Sequence, residues 1–571
     1  MLQDIKNVQL SSIEFDEVRS LDDVAKNILQ KRYYHQGESS WEDVTSRVVN
    51  WVVPEGAWWK ETARQMILNR YFLPNSPCLV NSGKKGGGLS ACFVVGFEDS
   101  IEEIYKTKLE FALIAKKGGG CGTTLSNLRP ENDFVAGSTH GYAGGPVKFF
   151  ETICNDMKAM TQAGFREMAM MGTMIYTHPD IIKFIKAKTE EGRMHTTNIS
   201  VLVDSRFMEL VKSDGEYWTE FGGKRYDLVK ARDIFDMIVN GAWNNGEPGL
   251  IFIDRMNNNS PYGIIHQKIE SVNPCGEQPL PKNGVCNLGS LDLSKFVIDN
   301  QIDWAKLEVA TRIAVRILDA VIDAGSYPTR DIHDWAHAHR PVGVGVMGVA
   351  DMLLDMEIAY GSRESMTVVG NVMRFIQEAS ESESVIIGKE LGIPEGCKSL
   401  PVPRRNITVQ TVAPTGTISL IAGCSNGIEP VFSEFTMRTD KTGTYKIYHP
   451  KAHEPYFRCA VTGNGGTEVA WQDHVAMQNE VQKYVDSGVS KTINFPNSAT
   501  KEDVASAFMM AYDLGSVKGM TVYRNGSRAQ EVLSPKKINK DKKCPECDGT
   551  LVKEGGCTHC DKCDYSFCEV S

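Results

Sequence analysis

The sequence predicts a large, water-soluble globular chain that mixes helices with buried strands. Three observations predict it. Hydrophobic residues make up 42% and charged residues 23% of the 571 positions, the balance of a folded soluble protein. Leu89-Ser90-Ala91-Cys92-Phe93-Val94-Val95-Gly96 is a short apolar run of strand type, and Glu98-Asp99-Ser100 behind it offers a helix N-cap for Ile101-Glu102-Glu103-Ile104-Tyr105. Between Trp304 and Ala324, apolar Leu307, Ala310, Ile313, Ala314, Ile317, Leu318 and Val321 mark a helix with one core-facing stripe, capped by Asp303.

A chain of this length can bury a large core in one domain or several. Its net charge of -10 carries no basic footprint for nucleic acid. Met1-Leu2-Gln3-Asp4-Ile5-Lys6 lacks the apolar core of a signal peptide, and no apolar run approaches the roughly 20 residues of a membrane span. Fifteen cysteines without an export signal point to thiol chemistry and metal binding in a reducing cytoplasm. Six of them fall in the last 28 residues.

In chain order, the first ~70 residues read as helical, with a helix-period stripe over Leu21-Asp22-Asp23-Val24-Ala25-Lys26-Asn27-Ile28-Leu29. Leu73-Pro74-Asn75-Ser76-Pro77-Cys78-Leu79 reads as a turn with exposed hydroxyl and amide groups. A flexible Gly83-Lys84-Lys85-Gly86-Gly87-Gly88 then leads to the strand of Cys92. Ala115-Lys116-Lys117-Gly118-Gly119-Gly120-Cys121-Gly122 is a glycine-rich loop without P-loop spacing, a phosphate cradle or a plain turn. Gly343-Val344-Gly345-Val346-Met347-Gly348 matches G-x-G-x-x-G. The preceding His333-Asp334-Trp335-Ala336-His337-Ala338-His339-Arg340-Pro341 is no buried strand, so a nicotinamide site is disfavoured.

Ile407-Thr408-Val409-Gln410-Thr411 is strand-like. It leads into Val412-Ala413-Pro414-Thr415-Gly416-Thr417-Ile418-Ser419, where a helix start would be an anion site or simply a cap. Gly519 to Arg528 reads as a strand into a turn, and Ser534 to Lys543 as a solvated linker. In the tail, Cys544-Pro545-Glu546-Cys547 and Cys557-Thr558-His559-Cys560-Asp561-Lys562-Cys563 are knuckles of zinc-ribbon type. Cys560 can pair with Cys557 or with Cys563. The expected ligands are Cys544, Cys547, Cys560 and Cys563, which leaves Cys557 and Cys568 as a spare pair, for a redox role or as two idle surface thiols.

The chemistry concentrates in Ser271-Val272-Asn273-Pro274-Cys275-Gly276-Glu277-Gln278. Pro274 and Gly276 argue against a helix. In an extended or looped backbone, alternate Asn273, Cys275 and Glu277 would project to one side and converge on one small molecule. A neighbouring carboxylate raises a thiol's pKa, so the sulfur is expected to work as something other than a thiolate.

Asn273-Pro274-Cys275-Gly276-Glu277, Ser90-Ala91-Cys92-Phe93, Val285-Cys286-Asn287-Leu288-Gly289-Ser290 and Pro414-Thr415-Gly416-Thr417-Ile418-Ser419 together resemble the catalytic chain of ribonucleotide reductases, from about residue 20 onward. Thr521-Val522-Tyr523-Arg524-Asn525-Gly526-Ser527-Arg528 and the cysteine-rich tail resemble its class II, adenosylcobalamin-dependent branch. The resemblance implies an α/β fold: a ten-stranded barrel of two five-stranded parallel halves packed antiparallel, with Cys275 on a finger loop inside. The expected layout is a helical region over 1–70, the barrel over 71–533, a linker over 534–543 and the metal-binding redox tail over 544–571.

It also implies roles. Cys275 would carry a thiyl radical that takes the ribose 3′ hydrogen. Glu277 would be general base on the 3′-hydroxyl, and Asn273 would hold the ribose hydroxyls. Cys92 and Cys286 would supply the reducing equivalents and end as a disulfide, which requires adjacent strands with Cα atoms within roughly 7 Å. Neighbours in a sheet of packed parallel strands meet that condition. Cys557 and Cys568 would reduce that disulfide and hand on to a thioredoxin-like partner. Ser76, Ala91, Gly120 and the Pro414, Thr415, Gly416, Thr417, Ile418 loop match substrate contacts, and Asp99 and Ser100 an effector site for deoxynucleoside triphosphates. The cofactors implied are adenosylcobalamin and a structural zinc, and the assembly a homodimer.

Gln162-Ala163-Gly164-Phe165-Arg166-Glu167-Met168-Ala169 departs from the family's Gln-Gly-Gly-x-Arg-Arg-Gly-Ala near the effector loops. The N-terminus is too short for an ATP-cone, so control through such a domain is not expected. One alternative is a class I catalytic chain fed by a separate radical-generating subunit. That route ends in adjacent tyrosines, whereas Tyr512, Tyr523 and Tyr565 stand singly. Another is a non-catalytic zinc-ribbon binding module, against which the negative charge and the Asn-Cys-Glu set both count.

Overall fold

The computed structural model describes residues 13–15, 20–135, 141–162, 166–189, 194, 197–258, 260–440, 443–461, 467–527, 551–554, 557–560 and 566–568. The proposed linker, Cys544, Cys547, Cys563 and part of the Gln162 to Ala169 stretch lie outside them.

Three helices come first: α1 (Asp23–Arg32), α2 (Trp41–Val52) and α3 (Lys60–Leu68). Each start is chemically marked where a cap exists. The Asp22 carboxylate accepts the Ala25 N–H at 2.7 Å, and Ser40 with Asp43 forms a reciprocal capping box on α2. Their apolar faces join one core with Leu307, Ile313 and Leu318 of the helix Trp304–Ala324, and with Val342, Val344 and Val346. The expected cap at Asp303 is present, its side chain accepting the Lys306 N–H at 3.0 Å.

Ten strands form one mixed sheet: β1 (Phe72–Pro74), β2 (Cys92–Val94), β3 (Gly120–Thr124), β4 (Met170–Ile175), β5 (Thr197–Val203), β6 (Gly249–Phe252), β7 (Val285–Asp292), β8 (Val342–Met347), β9 (Thr492–Phe495) and β10 (Gly519–Arg524). β2, β3, β4, β5 and β6 run parallel in that order. A second set is also internally parallel, β7 with β8 and β9 with β10. The sets meet at two antiparallel seams, β7 against β2 and β10 against β6. Isolated parallel bridges Val344↔Gln410 and Val412↔Val489 carry the pairing from β8 towards β9, so it runs full circle. β1 adds antiparallel to β7.

Outward-facing residues of the first set pack on helices in a second core containing Phe93, Cys121, Met170 and Val201. Val94, Met171, Leu202 and Ile251 point the other way and pack with Val272 and Leu280. The strand alternation thus builds an inner core around residues 271–280.

Two local readings need correction. Leu73 to Leu79 is not an exposed turn. Phe72–Pro74 is a buried strand, and Asn75 caps a short helix, Ser76–Asn81, whose Pro77 suits a first turn. Ile407 to Thr411 pairs only through isolated bridges, because the buried Asp486 carboxylate takes the Val409 and Gln410 N–H groups at 2.9 and 3.0 Å. The G-x-G-x-x-G glycines lie inside β8, behind the helix Arg330–His339. A Cβ on Gly343 would sit 2.4 Å from Thr411 Cγ2, and one on Gly345 2.7 Å from Thr411 O, so these glycines serve close packing. The Lys116-Lys117 stretch closes the helix Ile101–Lys117 in a left-handed Gly118 and is a plain turn.

Candidate active site

The site is organised by a short hairpin. Ser271 pairs with Leu280 and Val272 with Pro279, which leaves Asn273 to Gln278 as its loop. The loop is braced from within. The Asn273 N–H donates to Gln278 O at 3.1 Å, and the Gln278 N–H donates to Asn273 Oδ1 at 2.9 Å. Gly276 takes φ +80°, where a glycine is favoured.

The hairpin is gripped from two sides. A Cβ on Gly122 of β3 would lie 1.7 Å from Val272 O, and one on Gly120 3.0 Å from Pro274 Cγ. Asn198 Nδ2 donates to Pro274 O at 2.9 Å. From the other side, the Gly488 N–H and the Thr411 hydroxyl donate to Glu277 O at 2.8 and 2.9 Å.

Side chains converge on one sulfur. Asn273 Nδ2 donates to Cys92 Sγ at 3.1 Å, and the Cys92 thiol donates to Glu277 Oε1 at 3.5 Å. Cys92 and Cys286 are register partners across the β2/β7 seam, both buried and both free thiols. They lie on adjacent strands as expected, but the pair is antiparallel, because the cysteines sit where the two parallel sets meet. Asn273, Pro274, Glu277 and Gln278 are buried, whereas Cys275 is exposed. The simple alternation expected for Asn273, Cys275 and Glu277 therefore fails. The tight loop sends the amide and carboxyl inward and leaves the thiol open.

Burial dominates the electrostatics. It raises the Glu277 carboxyl to about 6, opposed by hydrogen bonds from Asn273 and Cys92. It also pushes both buried thiols well above their usual range, Cys92 further raised by Glu277 and Cys286 by Asp486 and Glu277. Both sulfurs are held as neutral thiols and are unsuited to act as thiolates.

The sequence profile described as "Ribonucleotide reductase, barrel domain" matches residues 90–399 and 402–523, most of the chain and all of this site. The chain belongs to the ribonucleotide reductase family. A "Vitamin B12-dependent ribonucleoside-diphosphate reductase" of Thermoplasma acidophilum is 41% identical over 509 residues, covering 81% of this chain and 65% of that protein. A protein of the same name from Mycobacterium tuberculosis is 37% identical over 510 residues, covering 83% of this chain and 73% of its own. The chain thus spans about two thirds to three quarters of these relatives. The "Actinobacillus ureae class Id ribonucleotide reductase alpha subunit" superposes with a TM-score of 0.73 at 22% identity, over 89% of this chain and 97% of that one. That likeness establishes the shared fold.

The remaining expected residues of this reductase-family chain fall into three places. Ala91, Leu288 and Ala413 pack with the cysteine pair, and the Gly120 N–H donates to Ala91 O at 2.8 Å. Pro414 to Ile418 therefore begins beside that pair. Thr415 there is held by Asn426 Oδ1, which accepts from its N–H at 2.8 Å and its hydroxyl at 3.0 Å. Ser76 opens its short helix one residue after Asn75, whose N–H donates to Leu288 O at 2.9 Å.

Asp99 and Ser100 stand on another element, with jobs of their own. The Asp99 carboxylate accepts from the Arg129 N–H and Nε, and Ser100 caps the helix Ile101–Lys117. In the tail, Leu551–Glu554, Cys557–Cys560 and Ser566–Cys568 form a separate three-stranded sheet in which Cys557 faces Cys568. Among the described residues no cluster of His, Cys, Asp or Glu could hold a metal ion. The expected zinc ligand set lies largely outside them.

Sequence reasoning missed Thr411, Gly488 and Asn198, which act on backbone carbonyls. It also missed the Ser90 hydroxyl, which donates to Asn287 Oδ1 at 2.5 Å across the β2/β7 seam.

Proposed function

We propose that this chain reduces ribonucleotides to 2′-deoxyribonucleotides by a thiyl-radical route. The observation that carries the reading is one exposed thiol on a buried hairpin whose carboxyl touches one of two facing, buried thiols. As a thiyl radical, Cys275 takes the ribose 3′ hydrogen while Glu277 accepts the 3′-hydroxyl proton. One proton from the Cys92/Cys286 pair leaves with the 2′-hydroxyl as water, and the second hydrogen ends on C2′. The pair gives up two electrons and closes as a disulfide, Glu277 returns its proton to the 3′-oxygen, and Cys275 returns its hydrogen to C3′. Asn273 holds the ribose hydroxyls, Ser76, Ala91 and Gly120 line the nucleotide, and Pro414 to Ile418 takes its phosphates.

Adenosylcobalamin fits this arrangement because Cys275 alone of the loop's reactive groups is exposed and so open to a bulky group. Its chemistry, when bound, is homolysis to a carbon-centred radical able to remove the hydrogen of Cys275. The names of the two similar relatives support the same cofactor and a ribonucleoside diphosphate as substrate.

The tail supplies electrons in this reading. Cys557 and Cys568, opposite each other across a strand pair, re-reduce the active-site disulfide and are renewed by a thioredoxin-like protein. Zinc then belongs to Cys544, Cys547, Cys560 and Cys563. Deoxynucleotide effectors at Asp99 and Ser100, a homodimer, a cytoplasmic location and the layout 1–70, 71–533, 534–543 and 544–571 complete the proposal. Among the described residues no helix is long and apolar enough to cross a membrane.

The test is anaerobic turnover of ribonucleoside diphosphates with dithiothreitol, with and without adenosylcobalamin. Product only in its presence is expected. Product without it, given a separate metal-containing subunit, would move the chain to class I.

A further inference from the structure

The Glu277 carbonyl is held from outside its hairpin by two donors, the Gly488 N–H at 2.8 Å and Thr411 Oγ1 at 2.9 Å. Both donors come from the segments that bridge β8 to β9, opposite the strands that grip Pro274 and Val272. The contact with Gly488 is backbone on backbone. A Cβ there would stand 2.8 Å from Gly276 O and 3.0 Å from Glu277 O, so only glycine lets the turn come this close.

The two donors are tied to each other below the hairpin. The Asp486 carboxylate holds the Val409 and Gln410 N–H groups just before Thr411. The buried Lys518 ammonium donates to Asp486 O at 2.8 Å and Ser487 O at 2.7 Å, just before Gly488. Burying a lysine's charge is costly, and here the cost is offset by donation to the carbonyls of the turn that the ammonium fixes. Arg404 balances the same carboxylate at 3.6 Å.

We infer that Thr411, with the Lys518-braced Gly488 turn, is a positioning residue that sets where the Glu277 carboxyl points. This rests on the reading of Glu277 as the base of the site. The carboxyl reaches Cys92 through one oxygen, while the other, Oε2, is buried with no protein partner and is the oxygen free for a substrate hydroxyl. Glu277 Cα is one bond from the anchored carbonyl carbon. A shift of the anchor is therefore passed directly to the carboxyl, and misplacement of about 1 Å can cost on the order of 100-fold in rate.

The test compares Thr411→Val, which keeps shape and removes the donor, with Thr411→Ser, which keeps the donor and removes a methyl. Glu277 titration is read in the full-length protein by infrared difference spectroscopy, with Glu277→Gln identifying its band; Cys92 and Asn273 are the groups that face it. Thr411→Val is expected to move that titration by about half a unit or more, and Thr411→Ser to leave it in place. In turnover, Thr411→Val should lower kcat on the order of tenfold with KM nearly unchanged, and Thr411→Ser should restore it. An unmoved Glu277 band in Thr411→Val, or a Thr411→Ser variant as impaired as Thr411→Val, overturns the inference. A parent protein that reduces no ribonucleotide overturns the function instead, and the titration still decides the placement.

Discussion

Glu277 is a fully buried carboxyl, and burial is what raises it to about 6. The folded value lies above the ordinary 4.5, so the group stabilises the fold fully below about pH 4.5, and that contribution is lost as pH rises through about 6. Its size is about 2 kcal/mol at 1.36 kcal/mol per unit. Glu277→Gln should therefore be more stable than the parent in urea at pH 8 by up to about that amount, and near parity at pH 4. The same variant should be inactive, and the parent's kcat should fall below about pH 6 as the base takes up its proton. Cys275→Ser should abolish turnover and leave nucleotide binding intact; measurable product from it would remove the radical assignment. Asn273, Cys275 and Glu277 were legible because their spacing is local and their chemistry is rare. Their directions were not, since Gly276 and the hairpin's internal bonds decide which side chains turn inward.

At the scale of elements, the hairpin sits where glycines let backbone approach backbone. Gly122→Ala would place a carbon 1.7 Å from Val272 O, with a main chain on both sides and no flexible side chain to yield. We expect a loss of about 1–3 kcal/mol, and turnover reduced more than stability because the displaced strand leads into Asn273. An active Gly122→Ala enzyme with parental stability would show that the hairpin is seated elsewhere. Here the sequence was read unevenly for physical reasons. The helix Trp304–Ala324 announced itself through periodicity and its Asp303 cap, both local signals. Gly120 and Gly122 looked like a turn, because close approach to a segment about 150 positions later leaves no local trace. Ile407 to Thr411 looked like a full strand, because nothing near it shows that Asp486 will take its N–H groups.

At the scale of the molecule, two parallel sets meet at antiparallel seams, and one seam carries the reducing pair. That closure depends on pairings hundreds of residues apart, so only the family resemblance, and not periodicity, made it legible. Directly opposed residues on antiparallel strands have Cα atoms about 4.5–5.5 Å apart, inside the span a disulfide bridges. Cys92/Cys286 and Cys557/Cys568 are both such pairs, one buried in the barrel and one on the small tail sheet. Burial keeps the inner thiols neutral, so once oxidised they need a partner that brings a thiolate to them. Under single turnover without reductant, thiol titration should show two thiols lost per chain as product forms. Cys557→Ser with Cys568→Ser should leave that first turnover intact and stop the cycle with a thioredoxin-like donor. A small dithiol that reaches the site directly should restore the cycle. Continued cycling of the double variant on the protein donor would show that the tail pair carries no electrons. An unchanged thiol count after product forms would show that the inner pair does not either.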